Sequence, residues 1–397
     1  MRVNYEFFGS EPIENVITCM KYRMDKVVFL GYQEEMKEWE AKTKDFLQNA
    51  CGVKEVEFLS AKRNDLNGIL NVMMDSIKKD LEASHEIYLD LTGGDSLIVF
   101  AYGVIYKEYQ LPVHCFDIMT DTLYEYNEKL EPMSAKAKKQ DLQMDLDLFV
   151  RIYGGALNPK VGKDYRGFAS PAFWQKVDEI FAYANRNWKN WNLMSEFLRS
   201  TLKCEEREPL FVCADVAEVR KVVDANGSPD KKVKKFPYEM HQVENLLLDL
   251  KQLGLIEGLT INSSRMQFWY TNEDVKNIVW HSGSILELYV YQRESKRCTD
   301  ARVGIHLDWD GILHERVQED VHNEVDVLLL DRNLPVFISC KSGKMDGKNL
   351  LNAMYELETV GKRFGGRYAK KRLVLTHQVS AAYRQRAEEM DIEICVI

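Results

Sequence analysis

Short apolar runs alternate with longer amphipathic stretches over the first 128 residues of the chain. Runs of alternating or wholly apolar residues predict strands, whereas apolar positions spaced three to four residues apart predict helices. The expected strands are residues 4–8, 26–31, 53–59, 86–91, 113–118 and 122–126, and helices are expected from residue 10, up to residue 48, at 64–81 and at 96–108. Because strands and helices alternate, we expect a parallel sheet with helical crossovers.

Helical periodicity dominates the region between about residues 129 and 280. Two predicted helices and a polar loop lie at residues 171–186, 191–202 and 224–235. A further helix at 238–253 ends before Gly254, a residue that favours the left-handed backbone found at helix ends. Two short extended runs follow it, around Leu259 and at 266–270. A helix followed by a hairpin is typical of a winged helix.

The pattern changes again from His281 onward. The expected elements are a helix at 284–293, strands at 302–309, 324–330 and 335–340, a helix at 350–363, a strand at 372–375, a helix, and a strand at 392–396. The C-terminal region therefore has the predicted order αβββαβαβ.

Composition narrows the class of protein. A length of 397 residues predicts two or three domains, and 45% hydrophobic with 29% charged residues is typical of a globular protein. No apolar run reaches the roughly 18 residues of a membrane helix, so we expect a cytoplasmic protein without a membrane partner. The eight scattered cysteines predict reduced thiols, and the net charge of -9 argues against indiscriminate binding of nucleic acid.

Two predicted strands bring candidate chemistry together in the C-terminal region. Residues two apart on a strand share one face, which pairs Glu324 with Asp326 and Ser339 with Lys341. Glu287 in the preceding helix supplies a further carboxylate. Oxygen ligands of this kind suit Mg²⁺ or Mn²⁺ in a hydrolytic site. The alternative is an ordinary solvated strand pair, which the apolar neighbours of these residues disfavour.

A basic stretch follows these strands and predicts a track for a polyanion. Its nine cationic residues are Lys341, Lys344, Lys348, Lys362, Arg363, Arg367, Lys370, Lys371 and Arg372. Only three acidic residues, Asp346, Glu356 and Glu358, lie between them. A solvated helix face is the alternative interpretation of the same run.

Two loops of the N-terminal region, at residues 7–15 and 90–96, connect strands to helices. Gly93 and Gly94 allow close approach of a ligand to the backbone, and Thr92 and Ser96 offer hydroxyl groups beside a helix N-terminus. This chemistry fits a phosphate-bearing ligand. There is no GxGxxG and no P-loop lysine motif, which disfavours an ordinary dinucleotide or nucleoside triphosphate. The alternative is that the glycines form a turn and that Ser10 and Asp95 cap helices.

The residues of the C-terminal region resemble the PD-(D/E)xK restriction-endonuclease-like superfamily, whose aspartate and lysine match Asp326 and Lys341. Ser339 stands where the superfamily has a glutamate. The resemblance therefore implies that Glu324 or the Cys340 carbonyl completes a set of metal ligands. The SEP and DLTGG loops resemble a CARF (CRISPR-associated Rossmann-fold) sensor, so the whole chain resembles the CARF nucleases of type III CRISPR defence.

This resemblance implies three regions: a CARF sensor at 1–135, a linker and helical or winged-helix-like region at 136–279, and a nuclease domain at 280–397. It implies that a homodimer binds a cyclic oligoadenylate, most simply cyclic tetra-adenylate, across its two-fold axis. The ligand would face Gly9, Ser10, Glu11, Thr92, Gly93, Gly94, Asp95 and Ser96.

The implied activity is ligand-dependent, metal-dependent cleavage of single-stranded DNA or RNA, or nicking of duplex DNA. One alternative is a ligand-responsive transcription regulator that uses its winged helix. The other is an enzyme that degrades its own cyclic activator at the sensor loops.

Overall fold

The computed structural model describes residues 1–133, 142–162, 165–224, 239–314 and 322–397. Three sheets lie within this part of the chain. Most of the polar loop predicted at 224–235, and the first residue of the helix predicted from 238, fall outside the described residues. Among the residues described, no helix has both the length and the apolar composition needed to cross a bilayer.

The N-terminal sheet has the predicted alternation of strands and helices. Its strands are β1 (Arg2–Phe7), β2 (Lys26–Tyr32), β3 (Glu55–Ala61), β4 (Glu86–Asp90), β5 (Val113–Asp117) and β6 (Thr122–Tyr126), and its helices are α1 (Glu14–Lys21), α2 (Gln33–Asn49), α3 (Leu66–Glu82) and α4 (Ser96–Tyr109). The strand order is β3-β2-β1-β4-β5-β6, with only β6 antiparallel to its neighbour. The prediction of a parallel sheet with helical crossovers is confirmed. The strand order reverses between β1 and β4, and ligands of such sheets bind at this switch point.

The middle of the chain contains the predicted helix and hairpin, and it also contains strands that the sequence pattern does not predict. Its elements are α5 (Leu146–Ile152), β7 (Ala156–Gly162), α6 (Pro171–Ala184), α7 (Trp188–Ser200), β8 (Cys204–Glu205), β9 (Glu208–Asp215), α8 (Val216–Asp224), α9 (Met240–Gln252), β10 (Ile256–Ile261), β11 (Arg265–Tyr270) and α10 (Glu273–Trp280). Helix α9 leads into the β10–β11 hairpin, which is extended by β9 and β8 into a four-stranded sheet.

The C-terminal region has the predicted order αβββαβαβ, which is confirmed. Its elements are α11 (Ser284–Glu294), β12 (Asp300–Asp308), β13 (His322–Asp331), β14 (Leu334–Lys341), α12 (Gly347–Gly365), β15 (Lys370–Leu375), α13 (Ala381–Glu389) and β16 (Ile392–Val396). The sheet order is β16-β15-β14-β13-β12-β7. Strand β7, which comes from the middle of the chain, pairs antiparallel with β12 and forms one edge of this sheet.

The two faces of the C-terminal sheet belong to different hydrophobic cores. Phe337 on β14 packs in a core that includes Leu357 of α12 and continues to Phe29 on β2 of the N-terminal sheet. Ile338, its neighbour on β14, packs in the core of the middle region with Leu286 of α11. The N-terminal and C-terminal sheets therefore share one continuous core.

The orientation of α9 predicts different costs for two neighbouring substitutions. Leu247 is fully buried, whereas Leu248 has 53% of its surface exposed. We expect Leu247→Ala to lower the free energy of unfolding by about 2–5 kcal/mol, because it leaves a cavity in the core of the middle region. Leu248→Ala serves as the matched control, with an expected change within about 0.5 kcal/mol. Urea denaturation followed by tryptophan fluorescence measures both, and equal losses would contradict this orientation.

Candidate functional site

The end of the β13–β14 hairpin brings three of the predicted site residues together. The antiparallel register pairs Val327 with Ile338, and continuing it by one residue sets Asp326 opposite Ser339. Asp326 Oδ2 accepts hydrogen bonds from Ser339 Oγ at 3.1 Å, from the Cys340 backbone N–H at 2.6 Å and from Lys341 Nζ at 3.3 Å. The alternation of side chains on strands therefore places Asp326, Ser339 and Lys341 as the sequence predicts.

The Asp326–Lys341 pair fixes the charge of the lysine. Burial disfavours the charged ammonium of Lys341, but attraction to Asp326 and their hydrogen bond outweigh it, so the pKa of Lys341 lies above its usual range. The side chains of Lys341 and Asp326 are 32% and 13% exposed, which limits screening by solvent. The raised pKa favours the protonated form of Lys341, which donates a hydrogen bond to Asp326.

A cavity of about 230 Å³ opens beside this pair and is lined by Glu324, Asp326, Ser339, Lys341 and Glu356. A second cavity, of about 320 Å³, is bordered by Glu324 and by the buried Glu287 of α11. Glu324 borders both cavities. Glu287 lines the second cavity, which adjoins the first through Glu324, and its part in the site stays a prediction.

Two elements that are not predicted as part of the site also border these cavities. Glu356 lies on α12, next to the apolar stripe of Ala353 and Leu357 that packs against the sheet. An acidic residue beside a buried helical stripe is the signal that identifies it. From the middle region, Asn192 on α7 donates a hydrogen bond to the Ser342 carbonyl at 3.3 Å, just beyond Lys341. The middle region therefore forms part of the site's wall.

The donor atoms at the sheet end fit a hard divalent cation. Among the described residues, no three His, Cys, Asp or Glu side chains form a metal-binding group. Mg²⁺ does not require such a group, since it binds through one or two carboxylates and keeps water and substrate oxygens as its other ligands. All three hydrogen bonds that reach Asp326 end on Oδ2. Glu324 adds a second carboxylate at the same cavity.

Besides Lys341, five of the nine residues of the predicted basic track have partners within the chain, and the track itself stays a prediction. Lys370, Lys371 and Arg372 form ion pairs with Asp331, with Glu358, and with Glu294 and Glu393, respectively, and Arg367 pairs with Glu14. Arg363 donates to the carbonyls of Tyr153 and Trp309. Except for Glu358, these partners lie outside the basic stretch, so its local charge count does not reveal them. Lys344 is different, because it is exposed and lines a cavity of about 610 Å³ together with Lys341.

The N-terminal loops lie side by side at the ends of β1 and β4. A buried polar cluster positions the second loop, since Asp90 accepts hydrogen bonds from the Thr92 N–H at 2.9 Å and from the Thr92 hydroxyl at 2.5 Å. His114 lies 3.3 Å from the same carboxylate. Burial alone would raise the pKa of Asp90, but His114 and these hydrogen bonds outweigh burial and lower it. Asp90 therefore holds the loop as a carboxylate.

Several of the predicted ligand-facing residues form hydrogen bonds within the chain. Asp95 caps α4 by accepting the Leu97 and Ile98 N–H groups, each at 3.0 Å, and accepts the Tyr32 hydroxyl at 2.6 Å. Gly94 has φ +117, a conformation that favours glycine.

Other members of the set also have partners within the chain. Gly9 donates its N–H to Asn15 at 2.9 Å, and Glu11 accepts the Arg367 N–H at 3.2 Å. Gly93 is buried, while Ser10, Gly94, Asp95 and Ser96 are exposed. Of these four accessible residues, Asp95 already accepts hydrogen bonds within the chain.

Comparison with known proteins finds a matching family model for the C-terminal region and similar solved structures for the whole chain. Residues 274–396 match the family model of Card1-like endonuclease domains. No curated protein sequence matches the chain. Among solved structures, protein VC1899 from Vibrio cholerae aligns with a TM-score of 0.70 at 17% identity, over 100% of this chain and 94% of that one.

Two further structures share the fold. Can2 from Sulfobacillus thermosulfidooxidans, solved with cyclic tetra-adenylate, aligns with a TM-score of 0.67 at 15% identity over 100% of this chain and 95% of that one. A type III CRISPR defence DNA nuclease activated by cyclic oligoadenylate aligns with a TM-score of 0.51 at 13% identity, over 96% of this chain but only 46% of that one. The chain therefore joins an N-terminal Rossmann-like sheet to a Card1-like endonuclease domain and has the overall fold of the Vibrio and Sulfobacillus proteins.

Proposed function

We propose that the chain is a nuclease of type III CRISPR defence that is activated by a cyclic oligoadenylate, with cyclic tetra-adenylate as its ligand. The observation that carries the proposal is the Asp326, Ser339 and Lys341 cluster within a Card1-like endonuclease domain. The structure of Can2 with cyclic tetra-adenylate suggests the ligand. Phosphodiester bonds of single-stranded DNA or RNA, or of one strand of duplex DNA, are the proposed targets.

Asp326 and Glu324 would hold Mg²⁺ or Mn²⁺, with the Cys340 carbonyl as a further oxygen donor. Such an ion, when bound, polarises a phosphate and acidifies a water molecule. Lys341 then donates hydrogen bonds to the attacking water or to the phosphate, because its ammonium stays charged beside Asp326. Ser339 contributes by fixing Asp326 through its hydroxyl. This division of roles requires no glutamate at position 339.

A substrate strand has a short charged path to this site. Lys341 and Lys344 line the same cavity of about 610 Å³, and Asn349 and Asn352 of α12 offer amide groups along it. Phosphates are attracted by the two lysines, while the remaining surface of an acidic protein gives little non-specific affinity. We therefore expect the nucleic acid to contact the protein over a short surface near Lys341 and Lys344 rather than along an extended track.

The cyclic ligand would bind at the switch point between β1 and β4, beside the N-terminus of α4. An anionic phosphate there meets exposed backbone at Gly94 and the exposed hydroxyl of Ser96. Thr92 and Asp95 would support the loop rather than contact the ligand, because their side chains are already bonded within the chain.

A second copy of the chain would complete the ligand site. Helix α4 begins at the ligand loop and presents Val99 and Phe100, which are 47% and 59% exposed, on one face. Gly103 extends this face with open space above its backbone. Large exposed apolar side chains that cluster in this way mark an interaction surface. A homodimer that pairs these helices would set two ligand loops beside one two-fold axis.

The central prediction concerns Lys341→Ala. With Mn²⁺, labelled single- and double-stranded DNA and RNA, and a panel of cyclic oligoadenylates, the native protein should cleave only in the presence of its activator. Lys341→Ala should reduce that cleavage by about 10²–10³-fold, because a preorganised donor is lost. Binding of the activator, measured by calorimetry, should be unchanged.

Lys78→Ala, at an exposed lysine on α3, provides the control and should cleave like the native protein. Cleavage by Lys341→Ala at the native rate would refute the assignment. Sequence-specific DNA binding without cleavage would favour a transcription regulator instead. Disappearance of the cyclic activator, also seen with Lys341→Ala, would favour an enzyme that degrades it.

The charge of Lys341 can be tested directly. Asp326→Asn should lower the pKa of Lys341, since burial remains while the attracting carboxylate is removed. In the native protein the raised pKa means that the pair stabilises the fold at neutral pH and that this contribution declines as the pH rises through the pKa of folded Lys341. NMR titration of ¹³C-methylated lysines measures the pKa of Lys341 in the native protein and in Asp326→Asn, and Lys341→Arg assigns the signal. An unchanged pKa in Asp326→Asn would contradict the pairing.

The α4 face predicts the oligomeric state. Phe100→Glu should convert dimer to monomer and abolish activation, because it places charge in the centre of the apolar face. Leu248→Glu, at an exposed leucine of the middle region, is the matched control and should remain dimeric. Sedimentation equilibrium distinguishes the two, and a stable Phe100→Glu dimer would exclude this face as the interface.

A further inference from the structure

Glu14 links the N-terminal loops to the endonuclease domain by direct contacts. It lies in the first turn of α1 with only 4% of its surface exposed. Its Oε1 accepts hydrogen bonds from Arg367 Nη2 and, at 2.5 Å, from the Tyr368 hydroxyl. Arg367 and Tyr368 belong to the short 3-10 turn that follows α12. One buried carboxylate thus joins α1 to the end of α12.

The other oxygen of the same carboxylate faces both N-terminal loops. Glu14 Oε2 lies 3.3 Å from the position that a Cβ atom would occupy at Gly9, and 3.3 Å from the equivalent position at Gly93. Gly9 follows β1 and Gly93 follows β4, so the carboxylate sits beneath the point where the two loops meet. A shift of either loop toward the protein would displace Glu14.

A second contact holds the two parts close together. The Glu11 carboxylate accepts the Arg367 N–H at 3.2 Å and packs against Gly366. Gly366 has φ +52, and a Cβ atom built there would collide with the Glu11 carboxylate. The close approach therefore depends on glycine at this position. The Glu11 contact involves the backbone of the turn, whereas Glu14 holds its side chains.

The turn held by Glu14 and Glu11 is connected to the β13–β14 hairpin, which carries Asp326 and Lys341 and is called the catalytic hairpin in this proposal. It directly follows α12, whose Ala353 and Glu356 line the cavity of Asp326 and Lys341. A Cβ atom at Gly365 would lie 3.1 Å from Phe337 Cε2, so the end of α12 packs tightly on β14. Phe337 lies two residues before Ser339 and on the same face of the strand. Movement of the turn would consequently displace α12 and β14, which both line the cavity of Asp326 and Lys341.

The energetics of the Glu14 contact suit a reversible connection. Burial raises the pKa of Glu14, although the Tyr368 hydroxyl and Arg367 act in the opposite direction. The buried carboxylate therefore depends on these two partners for its charge. Arg367, by contrast, has a side chain that is 61% exposed and can be solvated when it leaves Glu14. Separating Glu14 from Arg367 costs free energy for the buried Glu14 but little for the exposed Arg367. A ligand that changes the position of Glu14 can therefore shift the balance between a state with this contact and a state without it.

We propose that Glu14 is the residue that couples occupancy of the N-terminal loops to the geometry of the nuclease site, through Arg367 and Tyr368. This inference rests on the proposed function. It assigns the transmission of the signal to contacts within one chain, in addition to any rearrangement between subunits.

Full-length Glu14→Gln and Arg367→Met test the proposal. Each removes the charge from one side of the contact and leaves the loops and the catalytic hairpin untouched. The ratio of cleavage rates with and without cyclic tetra-adenylate should fall by about 5–150-fold in each variant, the usual range of an allosteric coupling. The double variant should lose no more than either single one, because the two residues act as a unit.

Hydrogen exchange supplies a readout that is independent of cleavage. Adding cyclic tetra-adenylate should change the exchange of residues 361–369 in the native protein, and this change should be absent in Glu14→Gln and in Arg367→Met. Glu86 offers a matched control, since its carboxylate also bonds to an arginine, Arg2 at 3.2 Å, and to a tyrosine, Tyr88. It begins β4 and thus lies at the opposite end of the strand from the ligand loops. Glu86→Gln should respond to the activator like the native protein.

The outcomes separate this inference from the function on which it rests. A native protein that no cyclic oligoadenylate activates would overturn both. A native protein that is activated, with Glu14→Gln and Arg367→Met activated equally well and showing the same exchange response, would overturn the coupling and leave the nuclease function intact. If Glu14→Gln fails to fold, Arg367→Met decides alone, since its side chain is largely exposed.

Discussion

The candidate nuclease site depends on one constraint: a partly buried lysine must keep its charge. Asp326 meets this requirement through a single oxygen, Oδ2, which also accepts hydrogen bonds from Ser339 and from the Cys340 backbone. These bonds fix the carboxylate in the middle of β13, and the carboxylate in turn holds the ammonium of Lys341. The apolar faces on both sides of the hairpin hold the register that makes this geometry possible. Loss of register by one residue would send Asp326 and Lys341 to opposite faces of the sheet.

The same sheet is supported from two directions, which explains how distant parts of the chain influence one site. One face shares its core with the N-terminal sheet, and the other shares its core with the middle region. Hydrogen bonds add to this packing. Glu14 of the N-terminal region accepts one from Tyr368, and Asn192 of the middle region donates one to the Ser342 carbonyl. A packed core transmits displacement because it has little free volume to absorb it. The position of the β13–β14 hairpin is therefore set by all three regions together.

Sequence patterns predict the element order of both terminal regions, because amphipathic helices and apolar strands there are long and regular. The meeting of Asp326, Ser339 and Lys341 is also predictable, since it needs only strand alternation and a short turn. Strand β7 is missed because Pro159 interrupts it and its residues do not alternate. The internal pairing of the basic stretch is not predictable, because ionic partners such as Glu14 and Glu393 come from distant parts of the chain. Tertiary pairing of this kind leaves no local signal.

The edge position of β7 has a practical meaning for dissecting the protein. A fragment that starts near residue 280 would contain every element of the predicted C-terminal order, yet it would lack the strand that covers β12. The uncovered edge would present a row of unpaired backbone N–H and C=O groups, which is a template for association between molecules. We therefore expect a stable fragment with this sheet to include residues 156–162, although they lie far from its other strands in the sequence.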